Sequence, residues 1–376
     1  MKKVILIPDS FKGTMSSDTV CHIMEQEIKA VYPNAQIVSI PVADGGEGSV
    51  DCFLSAVGGT KKTVSVKGVF GEEMQAFYGL LADSETAVIE MACCAGLPLA
   101  EGRLNPLTAT TYGVGQLLLA AVKNGAKHII LGLGGSATND GACGMAAACG
   151  VRFTDKNGKD FIPTGGTLKD IDHIDVSGIE PSLHDVKITA MCDIDNPMFG
   201  ENGAAYIFAP QKGADEVMVK ELDDGLRHLN EICQKDLGKD LSTLSGGGAA
   251  GAMGAGVYAF LGAKLQMGIQ TVLDCVKFDE QLADTDLIFT GEGKIDGQSL
   301  RGKVVIGVAQ QAVKQNVPVI AIVGDIAPGS ERAYEKGVTA IFSINAVAMD
   351  FPKIKPYSKE YLATTMKNIM RFSSIF

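Results

Sequence analysis

Two patterns of apolar and polar positions share this chain. The run Val4-Ile5-Leu6-Ile7 is short, continuous and largely β-branched, as a strand buried on both faces is. The loop Pro8-Asp9-Ser10-Phe11-Lys12-Gly13-Thr14 follows it. Over residues 16–31, Val20, Ile23, Met24 and Ile28 recur at helical spacing behind a Ser16 or Ser17 N-cap. Residues 36–42 predict a second strand, ending in Ala43-Asp44-Gly45-Gly46-Glu47-Gly48, and a helix then runs to about residue 57. The far end of the chain repeats this pattern. A strand over 287–289 meets Gly291-Glu292-Gly293, and a helix covers 303–314. Next come a strand over 319–323, a helix near 331–336, a strand over 340–344, and a last helix over 358–372 with Ser358 as N-cap. Two β–α units at the start and three at the end predict a five-stranded, doubly wound parallel sheet.

Between the ends the pattern changes. Residues 60–90 alternate, as in Thr63-Val64-Ser65-Val66-Lys67 and Ala76-Phe77-Tyr78-Gly79-Leu80, which predicts half-buried antiparallel strands. A helix over 108–124 and a strand over 129–133 lead into Gly134-Gly135-Ser136-Ala137-Thr138-Asn139-Asp140-Gly141. A polar excursion with weak strands fills 155–185, a strand covers 187–191, and a helix covers 215–235. The simplest organisation is one α/β domain of residues 1–66 plus 283–376, with a second, mixed α/β domain of residues 67–282 inserted into it.

Composition narrows the function. The 376 residues carry 33 Lys and Arg against 44 Asp and Glu, a net charge of −11, which argues against nucleic acid or an anionic membrane surface as a partner. Met1-Lys2-Lys3 leads straight into a strand, so no secretory leader is expected, and no uninterrupted apolar run reaches membrane-spanning length. Nine Cys without a C-x-x-C pair read as small core hydrophobes in a reducing cytoplasm. Glycine is the outlier: 45 residues, in clusters, point to loops that approach a ligand closely.

Those clusters hold the candidate chemistry. Asp9, Ser10 and Lys12 place a carboxylate, a hydroxyl and an ammonium just past the first strand. Asp44 and Glu47 flank Gly45 and Gly46. The 134–141 loop, between a strand and a helix, offers backbone N–H groups to an anion. Asp193-Ile194-Asp195-Asn196-Pro197 supplies carboxylates and an amide. Residues 246–256 are nearly free of side chains, and Gly291-Glu292-Gly293-Lys294-Ile295-Asp296-Gly297-Gln298-Ser299 mixes acid and cation. All five His lie outside these loops. Acidic glycine loops with Lys and without His suit phosphoryl transfer, which needs positioning, a carboxylate-held Mg²⁺, cations on phosphate and a proton acceptor. Gly297 to Lys303 spells G-x-x-x-x-G-K, but Val304 replaces the hydroxyl residue of a nucleotide-binding P-loop.

At these loops the chain resembles the type I glycerate kinases, over essentially its whole length. The resemblance rests on Pro8-Asp9-Ser10-Phe11-Lys12-Gly13, Ala43-Asp44-Gly45-Gly46-Glu47-Gly48, Glu90-Met91-Ala92, Gly132 to Gly141, Cys192-Asp193, Asn196-Pro197, Pro210-Gln211-Lys212-Gly213-Ala214, Gly248-Ala249-Ala250-Gly251 and Gly291-Glu292-Gly293 with Asp296, Gln298 and Ser299. Ala142, Ala209, Ala252 and Val304-Val305 depart from the family pattern without removing an ionisable group. The resemblance implies a flavodoxin-like domain and an inserted one with the site in their cleft. It also implies ATP- and Mg²⁺-dependent phosphorylation of D-glycerate, in bacterial members usually to 2-phosphoglycerate. On that footing Lys12 and Lys303 neutralise phosphate or the glycerate carboxylate, and Asp193 or Asp296 takes the hydroxyl proton. Asp44 and Glu292 hold Mg²⁺. Asp9, Ser10, Gly45, Gly46, Gly134, Gly135, Ser136, Asn139, Asp140, Asn196, Gly248, Gly251, Gly291 and Ser299 line the nucleotide and substrate. The chain's own residues leave open a glycerate 3-kinase, a kinase of a related hydroxy acid, a nucleotide-dependent oxidoreductase or an inactive binding module, and they leave open whether the chain forms a homo-oligomer.

Overall fold

The computed structural model describes residues 1–376 apart from Asp44, Gln298 and Phe376. By its contacts the chain separates into two units: Met1–Ala43 with Ser55–Val57 and Met267–Phe376, and Asp44–Leu54 with Gly58–Gln266. The strands, in chain order, are β1 (Lys3–Pro8), β2 (Gln36–Ser39), β3 (Gly59–Lys67), β4 (Glu73–Leu81), β5 (Thr86–Glu90), β6 (His128–Gly132), β7 (Arg152–Thr154), β8 (Asp160–Phe161), β9 (His173–Asp175), β10 (Lys187–Met191), β11 (Lys264–Gln266), β12 (Leu287–Ile295), β13 (Val319–Ile326) and β14 (Ala340–Ser343).

The first unit is built on a wholly parallel sheet of order β14-β13-β12-β1-β2. Taken along this unit alone, that is the 2-1-3-4-5 order of flavodoxin-like folds, whose direction reverses between β1 and β12. β1 is buried from Val4 onward because helices cover both faces. Val4 and Leu6 join α1 (Ser17–Val31) and the helix Ser358–Ser373 in one core, and strand alternation turns the equally buried Ile5 and Ile7 to the other face. Ser16 caps α1, its hydroxyl accepting the Thr19 N–H at 3.2 Å. Ser358 is no cap: it is the first helical residue, behind Tyr357. The helix expected near 331–336 is a 3₁₀ run, Ser330–Lys336.

β12 differs most from its sequence pattern. Gly291-Glu292-Gly293, expected as a loop, lies inside the strand, which continues to Ile295. β12 is hydrogen-bonded to β1 as far as Gly291 and to β13 from Ile288 to Ile295, and that pairing outweighs the poor strand propensity of glycine.

The second unit carries a mixed sheet of order β11-β10-β6-β5-β4-β3, in which β11, β10, β6 and β5 run parallel and β4 and β3 antiparallel. β3, expected at the end of the terminal domain, pairs along its length with β4 in this sheet instead. The helices α2 (Ser49–Val57), α3 (Ala92–Ala95), α4 (Tyr112–Lys123), α5 (Cys143–Ala148), α6 (Ala204–Phe208), α7 (Glu216–Leu237) and α8 (Ala249–Leu261) belong to this part of the chain, α2 crossing at its end into the first unit. One core joins Ile89, Leu131 and Ala190 of the sheet to Leu117 of α4, Met145 of α5, Leu229 of α7 and Met253 of α8. The polar excursion folds as the small sheet β8-β7-β9. Residues 249–256, expected as open loop, form the start of α8, a left-handed turn over Ala250–Ala252 followed by regular helix, because most of their Ala and Met side chains are buried and packing overrides the glycine count. No helix among the described residues is long and apolar enough to cross a membrane.

Candidate active site

In the first unit the expected residues gather where β1 and β12 end, at the point where strand order reverses. Open α/β sheets form their ligand crevice there. Asp9 follows β1, and its N–H donates to the Gly291 carbonyl at 2.8 Å. Gly293 lies against the backbone of Phe11 and Lys12, and the Lys12 side chain is exposed. Gly291 is buried in the ladder, a hydrogen standing where a Cβ would overlap the Ile322 carbonyl. Past the strand, the Asp296 N–H donates to Ser299 Oγ at 3.1 Å and the Ser299 N–H donates to Asp296 Oδ1 at 3.3 Å, a reciprocal pair that opens a 3₁₀ turn. Lys303 then stands at the N-cap of the helix Val304–Ala312.

Glu292 occupies the middle of this group. It is only 7% exposed, and its Oε1 has no hydrogen-bond partner. Burial pushes its carboxyl up to about 7; a hydrogen bond from Ser299 and the nearby Lys303 ammonium oppose the rise, and Asp9 and Asp296 add to it. A buried carboxylate with a raised pKa among two acids, a hydroxyl and a cation is an arrangement that functional sites favour.

In the second unit the parallel strands β5, β6 and β10 end side by side, and the loops that follow them interlock through backbone. The Gly134 N–H donates to the Gly45 carbonyl at 2.9 Å. A Cβ on Gly132 would overlap that same carbonyl, so glycine is required for the approach. The Leu97 N–H donates to the Gly135 carbonyl at 2.8 Å. Gly251 packs directly on the Thr138–Asn139 backbone, and the Gly248 N–H donates to the Asn196 carbonyl at 3.0 Å. Asn196 Nδ2 donates to the Asn202 carbonyl, bracing its own loop. Asp193 follows β10 half-buried, and Gly135 is exposed.

Residues 4–374 match the family model described as the glycerate kinase family. The chain belongs to the glycerate kinase family. It is 45% identical to a glycerate kinase of Bacillus cereus, over 98% of this chain and 97% of that one. It is 45% identical to the glycerate 2-kinase of Escherichia coli, over 91% and 90% of the two chains. The crystal structure named for glycerate kinase 2 of Salmonella typhimurium LT2 superposes with a TM-score of 0.88 at 39% identity, covering 100% of this chain and 98% of the other.

Several residues put forward by the family motifs turn inward. Asp140 is fully buried, and its carboxylate accepts the Thr111 N–H at 2.8 Å, the Thr111 hydroxyl at 2.9 Å, and the N–H groups of Ala142 and Gly144. Burial raises its pKa despite those bonds. Thr111 in turn accepts the Met145 N–H at 2.9 Å. The N-terminal donors of α5 are therefore spent within the protein, and the anion site expected there has no free donors of that kind. Ser136 also faces inward, toward Thr138 Oγ1 at 3.0 Å and the Ala250 carbonyl. Asn139 is fully buried, and neither atom of its amide has a partner. Asp44 lies outside the described residues.

Two residues gain weight that the sequence reading quoted without a role. Lys212 is 2% exposed and donates to the Thr138 carbonyl at 2.6 Å, and burial drives its pKa down to about 7 against the pull of Asp140. Glu90, 2% exposed, closes β5. Their only signal was membership of a motif. Among the described residues no three Asp, Glu, Cys or His side chains converge as a metal cage would require. Magnesium needs less, since one or two carboxylates with phosphate oxygens commonly hold it. The unpartnered Oε1 of Glu292 is a hard donor of that kind.

Proposed function

We propose that this chain transfers the terminal phosphoryl group of ATP to the 2-hydroxyl of D-glycerate. The observation that carries the reading is the acid–cation cluster around Glu292 at the switch point of the first unit's sheet, in a member of the glycerate kinase family. The choice of the 2-hydroxyl is supported by the name of the Escherichia coli relative.

Lys12, exposed beside β12, and Lys303, at a helix N-cap, neutralise phosphate oxygens or the glycerate carboxylate. Glu292 would hold Mg²⁺, which when bound would draw charge from the phosphate oxygens. Asp193 or Asp296 accepts the substrate hydroxyl proton. Backbone of the 45–48, 134–135 and 248–251 loops borders nucleotide or acid. The net charge and the free cysteines support a small-molecule substrate and a reducing cytoplasmic setting.

The test is turnover of D-glycerate with ATP and Mg²⁺, the product resolved by phosphorus NMR. Formation of 2-phosphoglycerate is expected. Formation of 3-phosphoglycerate would overturn the regiochemistry, and absence of turnover in a folded sample would overturn the substrate.

A further inference from the structure

Glu90 ends β5 in register with Gly132 of β6. Register partners on neighbouring strands face the same side of a sheet, so the Glu90 side chain and the empty Cβ position of Gly132 both lie beneath the segment that starts at Gly45. At one end of that segment the Gly45 carbonyl rests over Gly132 and accepts the Gly134 N–H. At the other end the Glu90 carboxylate accepts the Val50 N–H at 2.6 Å and a second bond from the Gly48 N–H. Between them the Ser49 hydroxyl donates to the Gly46 carbonyl at 2.7 Å.

α2 has no side-chain cap of its own. Its N-cap is Gly48 at φ +90°, a conformation that a Ser, Thr or Asp cap does not adopt. The acceptor comes instead from a strand 40 residues away in sequence. A buried carboxylate is a costly way to start a nine-residue helix if stability is all that is gained. What it adds is a fixed height and tilt for the Gly45–Gly48 backbone, with a carboxylate favourably placed at a helix N-terminus.

We propose that Glu90 is a positioning residue for phosphoryl transfer, holding the Gly45–Gly48 loop at its working distance through the N–H groups of Gly48 and Val50. This rests on the reading that places that loop against the reacting groups. Glu90 touches neither substrate nor nucleotide; it acts through the backbone it holds.

The test compares kcat and KM of Glu90→Gln with the parent protein, using ATP, Mg²⁺ and D-glycerate well below the melting temperature, together with amide hydrogen exchange. The amide keeps shape and volume but loses the negative charge and leaves a single acceptor atom for the two N–H groups. A fall in kcat of about 10- to 100-fold is expected, with faster exchange confined to Gly48 and Val50. Values of kcat and KM within twofold of the parent overturn the role. So does a loss of activity accompanied by faster exchange throughout the unit, which is the mark of a merely structural residue. Should Glu90→Gln fail to fold, Glu90→Asp keeps the charge, shortens its reach and is read in the same way. Gly134→Ala separates this inference from the reading beneath it, because its new Cβ would stand 2.6 Å from Gly46 Cα and shift the same loop without touching Glu90. Impaired Gly134→Ala beside unimpaired Glu90→Gln removes the Glu90 role alone. Full activity in both removes the reading of the loop as well.

Discussion

Lys212 and Glu292 are buried ionisable groups whose pKa values the same cause, burial, moves in opposite directions. Lys212 has a folded-state pKa of about 7 against an ordinary 10.5. Its depression means that stability present above pH 10.5 is lost as pH falls toward 7. The melting temperature of Lys212→Met should therefore gain on that of the parent between pH 10 and pH 7, then hold a constant offset. Glu292 runs the other way. Its pKa is raised from 4.5 to about 7, so its contribution is complete below 4.5 and lost as pH rises through 7. In metal-free buffer Glu292→Gln should gain on the parent between pH 4.5 and 7. Parallel melting curves across either window would show that the group titrates normally. The proton acceptor can be identified by a paired substitution. Asp193→Asn and Asp296→Asn both keep a side-chain acceptor, so the Asp296–Ser299 turn can survive. The true base should lose about 10²- to 10⁴-fold in kcat and the other far less. Losses of only a few-fold in both would remove carboxylate base catalysis by this pair.

At the scale of elements, α8 begins with a left-handed turn: Ala250, Gly251 and Ala252 have φ of 56°, 69° and 65° before the helix becomes regular. Two alanines in that region carry strain of about 1–2 kcal/mol each. Ala252→Gly should therefore cost at least about 1 kcal/mol less in urea unfolding than Ala255→Gly, which removes the same buried methyl from regular helix. Equal costs would mean that the turn is unstrained. The same element marks the limit of local reading. β1 and α1 were legible because their signals are local: a β-branched run, and a Ser16 cap ahead of helical spacing. The C-terminal half of β12 and the start of α8 were not, because both are glycine-rich and owe their form to neighbours, chiefly the flanking strand β13 in one case and a packed core in the other. The acidic and basic residues of the first unit's cluster stood out in the sequence, since two glycine loops and the G-x-x-x-x-G-K segment carry them. Glu90 and Lys212 acquire their meaning from burial, which no spacing announces. Asp140 looked like a ligand contact for the same reason: its motif was visible, and the four donors it satisfies were not.

The whole molecule carries separate hydrophobic cores in its two contact units. Calorimetry should accordingly give an unfolding enthalpy larger than the van 't Hoff value, and equality of the two would show one cooperative block. The first unit is also discontinuous. β1 is hydrogen-bonded to β2 just downstream and to β12, whose first residue is Leu287. On the ribosome the long intervening segment emerges first and can complete its own sheet. Meanwhile β1 waits with a bare, fully apolar flank. Roughly 280 residues separate the two strands, and at about 5–20 residues per second that wait lasts from roughly a quarter of a minute to a minute. An unpaired strand so apolar is a template for the wrong partner, so the growing chain has its greatest need of a chaperone at β1, before β12 arrives.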